Sequence, residues 1–328
     1  MSRAREIERL AWGCVVIGFD GLTLTSEARD MLSSGAGGAI LFRRNVESAG
    51  QVRELTASIH EAATGPGLVS VDQEGGRVAR LRGIVSDVPS MRELARSGAA
   101  AVEEVGRHMA AELKELGFDI VFAPVADVDT NPDNPVIGDR SFSSDPGKVA
   151  ELAVAMARGL QEGGVAACGK HFPGHGDTET DSHLGPARVP HDRARLDAVE
   201  LIPFRALCQK GIASIMTAHV SVQAIDPERP ATMSPKVLSI LRDEMRFDGV
   251  VFTDDMEMEA VAGLYDLGEA AVLAMSAGCD QLLICHRADR QQHVAEALIH
   301  AVESGRLPVQ RLEQAAERVD ALSKHFRG

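Results

Sequence analysis

The chain has 328 residues, a net charge of −14, and hydrophobic (45%) and charged (25%) fractions that are ordinary for a soluble protein. That acidic surplus argues against a nucleic-acid or anionic-membrane partner, because there is no excess of cations to release counterions. No stretch reaches the roughly eighteen apolar residues of a membrane span, and the N-terminus lacks the pattern of a secretory signal, so the expected location is the cytoplasm.

Short apolar runs alternate with segments of helical periodicity. The runs predict strands over 13–18, 38–42, 67–72, 120–127, 165–170, 213–219, 249–254 and 281–285. The amphipathic segments predict helices over 48–63, 99–116, 146–162, 194–210, 234–244, 267–277 and 289–304, with a last helix over 310–325 packed on the body. Buried parallel strands read as continuous apolar runs, and crossover helices read as amphipathic. Eight such units predict a single (β/α)₈ barrel of the TIM type, an α/β domain over residues 1–328. An open doubly wound sheet requires a glycine-rich phosphate loop after an early strand. Gly35-Ala36-Gly37-Gly38 precedes a strand instead.

Five cysteines, Cys14, Cys168, Cys208, Cys279 and Cys285, are scattered and form no C-x-x-C pair. Buried reduced thiols are expected, not a disulfide framework or a zinc ribbon.

Polar residues collect at one end of strand after strand. Asp72 ends the third. Asp127 and Asp129 follow the fourth. Lys170 and His171 end the fifth, His219 the sixth, and Asp254 with Asp255 the seventh. Chance would scatter them, whereas enzymes on this fold gather their chemistry at the C-terminal ends of the strands.

The segment from Lys170 to His183, KHFPGHGDTETDSH, is the richest in reactive groups. Pro173, Gly174 and Gly176 rule out a regular helix. Three readings stay open on composition. His171, His175, Asp177, Asp181 and His183 could hold a metal, although no H-E-x-x-H helix presents them. Asp181 and His183 could form an acid/base pair, the carboxylate fixing the imidazole tautomer. The loop could also be structural only. In Phe252-Thr253-Asp254-Asp255-Met256, strand alternation lets one Asp aim into the barrel mouth while the other caps the next helix or bonds backbone amides. Asp72 and Arg80 either grip sugar hydroxyls or form a surface ion pair, and Arg140 is either a ligand grip or a loop staple.

Lys-His-Phe-Pro-Gly-His-Gly-Asp followed by Asp-Ser-His resembles family 3 glycoside hydrolases, more narrowly the bacterial single-domain β-N-acetylglucosaminidases of peptidoglycan recycling. Three further motifs match in the same order: VDQEGGRV from Val71, VIGDRSF from Val136 and FTDDM from Phe252. The resemblance implies a retaining exo-glycosidase, a β-N-acetylhexosaminidase removing terminal N-acetylglucosamine from muropeptide fragments. It implies Asp254 as nucleophile, His183 as general acid/base and Asp181 as its orienting partner. Asp72, Arg80, Arg140, Lys170 and His171 would hold the sugar. No cofactor and no metal is implied. A glycosyl phosphorylase using the same first step, and a metal-dependent hydrolase, remain as alternatives.

Overall fold

The computed structural model describes residues 2–178 and 187–327. Eight parallel strands close into a barrel. They are β1 (Val15–Ile17), β2 (Gly38–Leu41), β3 (Leu68–Val71), β4 (Ile120–Val121), β5 (Ala166–Phe172), β6 (Ser214–Thr217), β7 (Val250–Asp255) and β8 (Gln281–Ile284). Each pairs with the next, and β1 closes on β8 with Val15 opposite Leu282. The expected (β/α)₈ barrel is therefore present, and every predicted run contributes one strand.

Alternation along these strands builds two apolar layers. Val16, Ile40, Leu68, Ile120, Phe122, Met216, Phe252 and Leu283 pack together as one cluster inside the barrel. Their neighbours Val15, Ala39, Val69, Val121, Val251 and Leu282 belong to the larger cluster that includes the surrounding helices. The final helix, Val309–Arg327, sends Val319, Leu322 and Phe326 into the inner cluster. It thereby closes the end of the barrel remote from Asp72 and Asp254. At that end the buried Asp280 carboxylate accepts the Val251 amide at 2.9 Å and pairs with Arg311 at 2.7 Å.

Helix ends follow the local sequence. Ser48 caps Ala49–Ala62, Asp266 caps Leu267–Ala277, and Asp145 with Pro146 opens Pro146–Glu162.

The differences from expectation have backbone causes. The fourth strand ends at Val121, not near residue 127, because Pro124 has no N–H for the ladder. Pairing resumes only as a bridge between Val125 and Lys170. The helix expected over 194–210 is split into Arg193–Ala198 and Leu201–Gln209. Pro203 excludes the carbonyl of Val199 from a continuous helix, and Val199 is non-helical at φ −132°, ψ −74°. Over 234–244, an α-helix (Pro235–Ser239) gives way to a π-turn (Ile240–Glu244). Helices Arg3–Gly13 and Ser26–Ser33 add to the predicted set. Among the described residues no helix is long and apolar enough to cross a membrane.

Candidate active site

The barrel mouth holds a cavity of about 300 Å³, lined by Asp72, Glu74, Arg80, Arg140, Lys170, His171 and Asp254 among others. Its depth is apolar, formed by Ile40, Phe122, Met216 and Leu283 from the barrel interior. Apolar walls with a few convergent polar groups are the usual make-up of a small-molecule site.

One wall is an ion network. Lys170, 2% exposed, reaches Asp72 Oδ1 at 2.7 Å and Glu74 Oε1 at 2.6 Å. Arg140 clamps Glu74 with two bonds, Nε to Oε2 and Nη2 to Oε1, both 2.8 Å. Burial opposes charge on Glu74, yet Arg140 and Lys170 outweigh it and hold its carboxyl far below the usual range. Burial likewise opposes charge on Lys170, but Asp72 and Glu74 keep its ammonium more firmly protonated than a free lysine. Arg140 is thus both staple and cavity wall. It donates to Val136 O at 3.2 Å while its guanidinium faces the cavity.

Arg80 Nη2 stands 3.7 Å from Asp72 Oδ2, and its buried Nε has no hydrogen-bond partner among the described residues. Buried donors are rarely left unpaired.

A second wall is built on Asp127, which is fully buried. Its Oδ2 accepts the His171 Nδ1–H at 2.7 Å and its Oδ1 accepts the His175 backbone N–H at 2.6 Å. One carboxylate therefore orients the His171 ring and fixes the start of the glycine-rich loop. Gly176 belongs to the same close approach, since a Cβ there would lie 1.8 Å from Val128 O. Burial lowers the pKa of His175, favouring its neutral ring, and Thr178 Oγ1 lies 2.7 Å from its Nδ1.

Asp254 and Asp255 both line the cavity, but they are used differently. Asp255 accepts the Glu257 N–H at 3.0 Å and pairs with His286 Nε2 at 3.1 Å. Asp254 accepts only the Asp255 N–H, at 2.8 Å, among the described residues' side-chain bonds. Burial opposes its charge. The fields of His171 and His219, the Asp255 N–H and Lys170 reverse that effect and hold the carboxyl below its ordinary value. Burial lowers the pKa of His219, and its ring bridges Thr232 Oγ1 (2.9 Å) and Asp255 O (3.0 Å), which fixes the end of β7.

The outer rim carries Phe42, Arg77 and His286. His286 stacks on Phe42 with ring centroids 5.7 Å apart, and its bond to Asp255 raises its pKa.

Six of the eight residues expected to form the site therefore line one cavity: Asp72, Arg80, Arg140, Lys170, His171 and Asp254. Asp181 and His183 lie outside the described residues. Sequence reasoning missed Glu74, Asp127 and His286. Glu74 was legible in principle, because residues two apart leave a strand on the same face as Asp72. Asp127 was noted only as a strand-end polar residue, and nothing in the sequence ties it to His171, 44 positions away. Four cysteines are buried and Cys208 is half-buried, all as free thiols.

Residues 14–322 match the glycosyl hydrolase family 3 N-terminal domain. The chain belongs to glycoside hydrolase family 3. A β-hexosaminidase of Neisseria meningitidis serogroup C is 41% identical over 294 residues, covering 87% of this chain and 81% of the relative. One from Nitrosomonas eutropha is 40% identical over 322 residues, covering 94% and 92%. Among solved structures, a family 3 β-N-acetylglucosaminidase from Paenibacillus sp. superposes with a TM-score of 0.96 at 42% identity. That match covers 98% of this chain and 62% of the longer Paenibacillus chain. NagZ from Neisseria gonorrhoeae, solved with N-trifluoroacetyl-D-glucosamine, gives a TM-score of 0.78 at 35% identity, covering 94% and 97%. This family 3 member is a glycoside hydrolase of the β-N-acetylhexosaminidase type.

Proposed function

We propose that the protein is a retaining exo-glycosidase that removes terminal β-linked N-acetylglucosamine, with residues 1–328 acting as one catalytic domain. The observation that carries this reading is Asp254, a half-buried carboxylate held ionised in the wall of a sugar-sized cavity. Its carboxylate attacks the anomeric carbon while the glycosidic C–O bond breaks and His183 gives a proton to the departing oxygen. Water, deprotonated by the same His183, then releases the sugar from Asp254. Asp181 orients His183 and keeps it basic enough for the second step.

Substrate binding follows from the polar walls. Asp72, ordered by Lys170, accepts sugar hydroxyls, while Arg80, Arg140 and His171 donate. The unpartnered Arg80 Nε supports a ligand at that point. Charge-assisted bonds to hydroxyls that tighten in the transition state raise turnover.

The substrate of this reading is a muropeptide fragment. Arg77 and Arg80 put cations at the cavity of a chain whose net charge is −14, which favours a carboxylate-bearing aglycone. A reducing, cytoplasmic setting accords with free thiols whose pKa burial pushes up to about 12 at Cys14, Cys168 and Cys279.

A fluorinated N-acetylglucosaminide that forms its glycosyl-enzyme faster than it is hydrolysed tests the reading. Mass spectrometry of the trapped protein is expected to find the label on the peptide containing Asp254. A label on another residue, or none with a substrate that is turned over, overturns the assignment.

A further inference from the structure

A second polar cluster lies away from the cavity. Asp177, His191 and Glu200 each present a ligand atom, and these atoms all lie within 4.8 Å of one another. None of the three lines the cavity around Asp254.

Both flanks of the cluster are held in place. Asn134 Nδ2 donates to His175 O at 2.9 Å and Thr178 O at 3.0 Å, on either side of Asp177 in the chain. His191 follows the short strand Ala187–Val189, which pairs with Val220–Val222, and its Nε2 hydrogen-bonds Asp177. Glu200 packs against the turn at Gly174, where an added Cβ would meet Glu200 Cβ at 2.9 Å.

Glu200 supplies the independent observation. Its side chain is 3% exposed, and Arg195 donates to Oε1 from Nη2 at 3.1 Å. Among the described residues, Oε2 is buried with no hydrogen-bond partner. Buried acceptors in folded proteins are almost always satisfied, by protein, water or an ion.

One imidazole nitrogen and two carboxylate oxygens suit a divalent transition cation, with water completing its shell. A carboxylate ligand that is itself hydrogen-bonded, as Glu200 is by Arg195, is the usual outer-sphere support. We propose that Asp177, His191 and Glu200 form a binding site for one divalent cation of the zinc class, separate from the glycosidase cavity. The ion ties Asp177 and His191, which bracket residues 179–186 in sequence, to the helix Leu201–Gln209 that Glu200 precedes. This proposal does not depend on the roles given to Asp254 and His183.

The test is chelator-stripped full-length protein titrated with ZnCl₂ by calorimetry, with CoCl₂ and its visible absorption as a second readout. Wild type is expected to bind a single equivalent saturably. His191→Ala and Glu200→Gln, checked for folding by circular dichroism, are expected to weaken binding at least about tenfold. His183→Ala and Asp254→Asn are expected to leave it intact. Absence of saturable binding by wild type overturns the proposal, and leaves His191 as a simple hydrogen-bond partner of Asp177. Binding that survives in His191→Ala and Glu200→Gln, or that is lost in His183→Ala, overturns it equally.

Discussion

His171 Nδ1 lies 2.7 Å from Asp127 Oδ2, a buried pair that fixes how the imidazole enters the cavity beside Asp254. Removing the acceptor charge is expected to free the ring and withdraw a charged hydrogen bond of about 1.5–3 kcal/mol. Asp127→Asn should therefore lower kcat/KM by roughly tenfold to a hundredfold, measured with a chromogenic N-acetylglucosaminide. An unchanged kcat/KM in a folded variant would show that His171 needs no orienting partner.

Asp254→Asn keeps the shape of the nucleophile and removes its charge. Loss of a covalent nucleophile typically costs roughly 10⁴–10⁶ in kcat. The variant should remain folded and still bind product, which product titration can verify. Residual turnover near the wild-type level would contradict the nucleophile role.

His183→Ala separates proton donation from everything else. General acid catalysis contributes about 10²–10⁴, and an activated phenol leaves without needing it. The variant should lose far more activity on a natural disaccharide than on a nitrophenyl glycoside. Equal losses on the two substrates would exclude the acid role.

Glu74 couples the site to stability. Its carboxyl is buried between Arg140 and Lys170, with its pKa depressed in the folded state. The stabilisation is full above the unfolded value of about 4.3 and is lost as pH falls through the lower folded value. Removing one partner of a buried ion network costs about 3–5 kcal/mol, so Glu74→Ala should shift urea unfolding by that order at pH 7. Glu74→Gln should also flatten the acid limb of stability against pH. A limb as steep as the wild type's would assign the acid sensitivity to other carboxylates.

As a hydrolase, the protein should pass its sugar to water. Phosphate in the assay buffer should change neither rate nor product. Appearance of N-acetylglucosamine-1-phosphate would favour transfer to phosphate instead.

The barrel was legible because its strands are buried on both faces and its helices on one, so that hydropathy alone separates them. Boundaries failed where proline intervened, at Pro124 and Pro203, because their effect depends on which carbonyl or ladder they face. Asp72, Lys170 and Asp254 were legible as polar residues at strand ends. Glu74 was less so, since a carboxylate after a strand reads equally as a turn residue until Arg140 is found 2.8 Å away, 66 positions later. Asp127 and His286 act only through partners distant in sequence, and pattern reading has no access to such pairs.

The C-terminal helix has a bearing on biosynthesis. Val319, Leu322 and Phe326 complete the interior of a barrel whose first strand begins at Val15. While the chain is made from its N-terminus, eight strands can emerge before the residues that cover the remote end of their inner cluster. The nascent barrel therefore exposes the apolar end of its core until residue 326 has left the ribosome, the interval in which a chaperone has most to shield.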